Sequence, residues 1–365
     1  MLTRRRLLTG AAAASAAALL VPATARAETP PDITTTASWL QWLTAHRDAV
    51  SAVFDDGAGH RLAHQPHTAR PLASAIKVIH AAAYSDAVTA GRLDPDEPVR
   101  VGDWDARYPY GGDGGSHVQS YTLLGIPHDA SGIATDPGRT VPLHRLAELM
   151  IVVSDGAAAD YLRARLGDAA LRGAAARAGW FDPDLRMFSG ETLLLLFPEF
   201  CPPSGVPAAT RRAAGDRLSD RFARDKAFRA QVIPRVTARP PTMDEQFAWA
   251  AGTGRGSAAQ LAALHHEIAT AQGKSADLTR HILSAQYAGH QPPGTTAMLY
   301  KGGSYPGILT LAADLLWPDR RPGTAVLLIA DPSVDLANAA TLLDLCAGSL
   351  TTPATLAEVS RALGH

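Results

Sequence analysis

The feature that most limits what this chain can fold into is a change of hydrophobic period along its 365 residues. Extended segments with strand-like composition lie towards the two ends, and the long middle repeats at helical spacing. Near the N-terminal side, residues 52–54 and 61–63 flank Asp55-Asp56-Gly57-Ala58-Gly59, two short extended runs around a Gly-rich turn, which reads as a hairpin. Near the C-terminal side, residues 297–301, 308–317 and 324–330 read as three strands, the second and third joined across Pro318-Asp319-Arg320-Arg321-Pro322-Gly323. Strands need edge partners, so the expectation is an α+β fold with one five-stranded antiparallel sheet built from both ends of the chain. Helices flank that sheet, and an all-α lobe is inserted. The α/β lobe is expected over 28–100 and 290–365, the helical lobe over 101–289.

Within that frame, Trp39, Leu40, Trp42 and Leu43 recur at helical spacing and predict a first amphipathic helix over 36–49, capped by Thr35 or Thr36. A second helix carries Ser74 near its start and runs to about Gly91. Residues 102–139 are rich in Gly, Asp, Pro and aromatics without periodicity, and read as a long functional loop or lid. His117 and His128 fall in it and read as surface residues, with no third ligand at metal-site spacing. Helices are expected over 143–153 and 157–166, then an irregular piece after Trp180 that contains Arg186, Glu191 and an apolar run at 193–197. Residues 207–287 read as mostly helical with Ser257 and Ser275 as N-caps, and two helices, 334–345 and 355–363, close the chain.

The N-terminus has the layout of an export signal: Thr3-Arg4-Arg5-Arg6-Leu7-Leu8, an Ala-rich apolar run to Leu20, then Ala25-Arg26-Ala27. Paired arginines ahead of a weakly hydrophobic run point to a cleaved twin-arginine signal over 1–27, transient contact with that export machinery, and a secreted or periplasmic product. The run is too short and too rich in Ala to suit a membrane span. Cleavage would remove four of the 34 basic residues and none of the 35 acidic ones. A mildly acidic mature chain argues against nucleic acid or an anionic membrane as partner, and leaves a monomer acting on a small molecule as the expectation. Cys201 and Cys346 would reach an oxidising space, where they could pair or stay free.

Chemistry is concentrated in three short motifs. Ser74-Ala75-Ile76-Lys77 places a hydroxyl and an amine three residues apart, on one face of a helix, so that a base stands beside a nucleophile. Ser154-Asp155-Gly156 follows a helix, and Lys301-Gly302-Gly303 ends a strand. Any one of these arises by chance, but three in this order and setting resemble the signature motifs of the serine β-lactamases and penicillin-binding proteins. The helix start 154–162 resembles the family's S-D-N segment, and the hairpin through Trp317-Pro318-Asp319 resembles its last two strands. Roughly two thirds of the chain beyond residue 27 can be laid on a class A β-lactamase pattern.

The resemblance implies a β-lactamase/transpeptidase-like fold and acyl transfer without metal or organic cofactor. Ser74 would be the nucleophile and Lys77 its base, with the Lys301 cation lowering the Lys77 pKa. Ser154 would pass a proton to the leaving atom, while the backbone amides of Ser74 and near Ser304 form an oxyanion hole. Asp155, Gly156, Gly302, Gly303 and Ser304 would border the substrate. Glu191, three residues before Leu194, resembles the glutamate that activates the deacylating water, with Leu195 where the family has Asn. Gly156 stands for Asn and Gly302 for Thr or Ser, and no Arg or Lys lies between Gly302 and Asp319 to hold a substrate carboxylate. Hydrolysis of a β-lactam amide is the first expectation. An esterase or D-Ala-D-Ala-type peptidase, and a penicillin-binding sensor that acylates without turnover, remain open beside it.

Overall fold

The computed structural model describes residues 33–110 and 113–365; the segment read as an export signal lies outside them. The chain opens with α1 (Thr36–Ala45), started by a reciprocal Thr35 and Ser38 capping box and followed by a single 3-10 turn at Arg47–Ala49 rather than more α-helix. The hairpin β1 (Val50–Asp55) and β2 (Arg61–His64) follows as expected. After α2 (Lys77–Thr89), the stretch read as a lid contains two helices, Val101–Asp105 and α3 (Ser116–Leu124). It packs inward: Trp104, His117 and Tyr121 are fully buried. His117 is therefore a core residue, which corrects its reading as a surface one. Such short elements, held by polar contacts, leave no period to read.

The helical middle continues with α4 (Leu143–Val152), α5 (Gly156–Leu166), α6 (Phe188–Leu196), α7 (Ala208–Arg224) and α8 (Ala258–Thr270). The piece around Glu191 is thus a helix and not irregular. It is buried along almost its whole length, so it shows no amphipathic stripe. Ser257 caps α8 in a capping box with Gln260, whereas the next helix starts at Lys274 after Gly273. Ser275 lies inside that helix, and its hydroxyl bonds Asp86 of α2 at 2.5 Å.

Three long strands, β3 (Ala297–Tyr305), β4 (Ile308–Leu316) and β5 (Gly323–Ala330), complete one antiparallel sheet in the order β2-β1-β5-β4-β3. α9 (Ala339–Thr351) and α10 (Pro353–Leu363) close the chain. The sheet is apolar on both faces. Leu299, Ala312, Val326 and Leu328 pack into the core shared with the inserted helices, and Leu309, Leu311, Leu327 and Ile329 into a second core under α1, α9 and α10. A sheet covered on both sides accounts for the near-continuous apolar runs of β4 and β5. Cys346 is buried in the second core and Cys201 borders a third cluster, in the helical lobe; both are free thiols, so the disulfide does not form.

A lobe boundary at residue 290 would place α8 with the inserted helices, yet α8 lies on the sheet. Its buried His265 Nδ1 meets Asp314 Oδ2 of β4 at 2.7 Å, and Asp314 Oδ1 accepts the Thr324 hydroxyl of β5 at 2.7 Å. All three are buried, so each polar group relies on the others in place of water. Asp314→Ala should strip two buried partners at once and cost about 3 kcal/mol. Urea unfolding would show it as a lower midpoint at unchanged slope.

Candidate active site

Ser74 sits in a 3-10 turn, Ala73–Ile76, whose last residue leads directly into α2. Ala73 is forced to φ 45°, a left-handed conformation that non-glycine residues seldom adopt, so the turn is held by its surroundings. Leu72 donates its amide to Gly254 O at 2.9 Å, and the Thr310 hydroxyl of β4 reaches both Leu72 O and Gly303 O at 3.0 Å. The nucleophile turn is thereby fastened to edge strand β3. Contact is so close that a Cβ on Gly303 would lie 2.4 Å from the Ser74 amide nitrogen; only glycine fits there.

Lys77 is 1 % exposed, and its Nζ lies 3.0 Å from Ser74 Oγ, 2.5 Å from Ser154 O and 3.3 Å from Ser154 Oγ. From the other side, Lys301 Nζ donates to Ser154 Oγ at 2.9 Å and to Gly302 O at 2.7 Å. The Ser154 hydroxyl therefore stands between two buried amines. Burial strips water from the Lys77 ammonium, and the carboxylates of Asp155, Asp113 and Asp160 only partly compensate, leaving its pKa lowered to about 8. Lys301 is held well below the ordinary lysine range by burial and by Lys77. Ser74, Lys77, Ser154 and Lys301, far apart in the chain, thus converge as expected.

Ser154 itself is bent into the left-handed region at φ 65°. Asp155, immediately after it, is wholly buried and does not face the cleft, contrary to its reading as a substrate contact. Its Oδ1 caps α5 by accepting the Ala158 amide at 2.8 Å, and its Oδ2 meets Ser120 Oγ at 2.7 Å and His117 Nδ1 at 3.1 Å. On its other edge, His117 Nε2 lies 2.9 Å from both Asp105 Oδ1 and the Tyr121 hydroxyl. Burial alone would discharge this imidazole, but the Asp155 and Asp105 carboxylates hold its pKa up to about 9. The cation in turn keeps Asp155 ionised against its own desolvation.

Glu191 also falls elsewhere than expected. Its Oε1 accepts Arg186 at 2.9 Å and its Oε2 accepts Arg211 at 2.8 and 3.1 Å, and it borders a small separate cavity behind the Ser74 turn. These arginines are the pinning partners that no sequence pattern revealed. One helical turn earlier, Phe188 faces the cleft, with Lys77 Nζ 4.3 Å from its ring centroid. Asp160 of α5 fixes that residue by accepting the Phe188 and Ser189 amides at 2.7 Å each. Gly156 does border the cleft, and a Cβ there would come within 3.3 Å of Phe188 Cβ. Gly302, Gly303 and Ser304 line the cleft as expected, joined by Asp113 and Tyr300, which sequence reading missed. Because α6 is apolar around its circumference, pattern alone gave no way to tell which of its residues faces the site.

With this geometry in view, comparison with known proteins is decisive on class. The model of the Beta-lactamase enzyme family matches residues 40–345, and the chain belongs to that family. The fold is that of the serine β-lactamase and penicillin-binding protein superfamily. It is similar to a β-lactamase from Sphaerobacter thermophilus, at 16% identity over 89% of this chain and 95% of that one, with a TM-score of 0.53. It is likewise similar to the class A β-lactamase of the last common ancestor of Gram-negative bacteria, at 18% identity over 87% and 97%, with a TM-score of 0.53. No curated protein matches the sequence significantly. The chain is a serine β-lactamase-like hydrolase.

The Lys77 environment sets a pH dependence. If Lys77 is the base for Ser74, the amine is protonated below its pKa of about 8 and cannot take that proton, and above it the amine is free to do so. Acylation should therefore rise roughly tenfold per pH unit up to about 8 and then level off. Stopped-flow acylation rates between pH 6 and pH 9.5 would give that limb, and a flat profile would remove Lys77 as the base.

Proposed function

We propose that this protein is an exported hydrolase that opens a carbonyl compound through an acyl-enzyme on Ser74, and that its β-lactam acyl-enzyme is long-lived. The observation that carries the reading is the Lys77 amine, desolvated and 3.0 Å from Ser74 Oγ. Neutral Lys77 takes the hydroxyl proton as Ser74 Oγ bonds to the carbonyl carbon. The resulting oxyanion is held by the backbone amides of Ser74 and Ser304. As the bond to the leaving nitrogen or oxygen breaks, the proton passes from Lys77 through Ser154 Oγ to that atom. Lys301 orients Ser154 and keeps the region positive. The N-terminal Arg4-Arg5-Arg6 and its apolar run support export as the setting.

Deacylation needs a second base for water. The carboxylate expected to serve is engaged with two arginines behind the turn, and an aromatic ring lies against Lys77 where it would have to act. A phenyl ring neither accepts a proton nor orders a water, so turnover of a β-lactam adduct rests on Lys77 alone. General-base help of this kind is typically worth about a hundred- to ten-thousand-fold. The same observation favours an ester or peptide substrate, whose leaving group departs and frees the cleft for water, over a β-lactam, whose leaving atom stays tethered.

Two outcomes test this. Mixing the protein with a penicillin should produce a one-equivalent mass increase on the intact chain that persists for many minutes, and Ser74→Ala should abolish it; an undiminished adduct on that variant would remove Ser74 from the mechanism. Phe188→Glu should place a carboxylate beside Lys77 and accelerate decay of the adduct by about a hundredfold or more. Decay at the wild-type rate would show that the ring is not what slows hydrolysis.

A further inference from the structure

The cleft does not end at the lysines. It continues around edge strand β3 past Gly302 to the outer face of the sheet, where Leu309 and Leu311 of β4, Leu336, and Ala339 and Leu343 of α9 form its wall. Three polar side chains border this part, Gln286, Tyr287 and Tyr300, the two phenol rings packed edge to face at 5.2 Å. On β3, Tyr300 and Gly302 share the outer face, and the Tyr300 ring leans along the strand until its hydroxyl lies 2.3 Å from where a Gly302 Cβ would be. A residue larger than glycine at 302 would displace the ring. The Tyr300 hydroxyl has no hydrogen-bond partner among the described residues, and burial pushes its pKa up, so it remains a neutral donor.

Among the described residues, no cation serves this part of the cleft. Lys77 and Lys301 are committed to Ser154 on the inner side of the strand. Arg107, the other cation along the cleft, is turned to Ser219 and Asp220 at 3.1 and 3.3 Å. A carboxylate placed beyond Gly302 would lose its hydration against leucine and alanine and gain hydrogen bonds from neutral donors alone, the Gln286 amide and the Tyr287 and Tyr300 phenols, with no charge to offset its own. An apolar group would lose nothing and bury its surface.

We propose that the cleft beyond Gly302 is a subsite for an uncharged apolar substituent of the substrate, such as an aryl or alkyl ester, with the Tyr300 hydroxyl donating to its carbonyl. The proposal rests on the acyl-transfer reading for the neighbouring site, and its test separates the two. Ser74→Ala protein can bind a substrate but not acylate, so calorimetry on it reads the subsite alone. The pair to compare is a penicillin free acid and its benzyl ester. The ester should bind at least tenfold more tightly. Ala340→Trp, at an exposed position on the rim, should erase that preference while leaving the unfolding midpoint unchanged. Leu311→Arg should invert it in favour of the acid. Equal or tighter binding of the acid by the Ser74→Ala protein would overturn the proposal, as would an ester preference that survives both second substitutions. Ester preference in binding with no adduct on the wild-type chain would support the subsite and overturn the acyl-enzyme reading instead.

Discussion

Two lysine side chains buried around one serine hydroxyl are the constraint on which the rest of this structure depends. An ammonium taken out of water is costly, and two of them sharing Ser154 Oγ cost more, so the pair relaxes by lowering its affinity for protons. That relaxation brings the Lys77 amine within reach of the neutral form, which the proposed role as base needs. It requires Ser154 to hold a left-handed backbone, and this in turn is fixed by Asp155, whose carboxylate caps α5 and is locked by Ser120 and by the His117 cation. Between α2 and α4, the buried residues Trp104, Asp105, His117, Ser120 and Tyr121 thus support the turn at Ser154 from beneath. Charge also matters at a distance, because the carboxylates around Lys77 keep the amine from losing its proton altogether.

On the opposite wall, α6 shows how one acid can be diverted from chemistry to architecture. Glu191 ties α6 to Arg186 and Arg211, and the Trp249 indole donates to its backbone carbonyl at 2.8 Å. Asp160 holds the first turn of the same helix from α5. Between them these contacts fix the backbone of α6 with Phe188 on the cleft side. The absence of a side chain at Gly156 fits the same arrangement, since a Cβ there would press on the ring. The glycine at 156 and the inward ring of Phe188 are therefore one steric arrangement seen from two positions.

The third wall is the free edge of the sheet, where alternation along β3 decides what each residue can do. Lys301 and Gly303 face the nucleophile turn, while Tyr300 and Gly302 face α9. The small residue at 303 is demanded by the approach of the Ser74 backbone, and the small residue at 302 by a neighbouring side chain on the same strand. Identical residues in sequence thus answer two different steric demands, separated by the pleat.

Much of this was legible in the chain itself. The period change along the sequence pointed to strands from both ends sharing one sheet, because strand edges must be paired and the long helical middle offers no strand of matching length. The order Ser74, Lys77, Ser154, Lys301 pointed to the four side chains that the fold brings together, since each lies beside a local signal, a turn, helix start or strand end, that fixes where its side chain goes. What local pattern could not carry was decided by tertiary structure. His117 looked like a loop residue because its partners, Asp105 and Asp155, are brought to it only by packing. Glu191 and Phe188 are one turn apart on a helix buried all round, so no hydrophobic stripe marks the face towards Ser74; only the grip of Arg186, Arg211 and Asp160 turns the aromatic ring into the cleft and the carboxylate away from it.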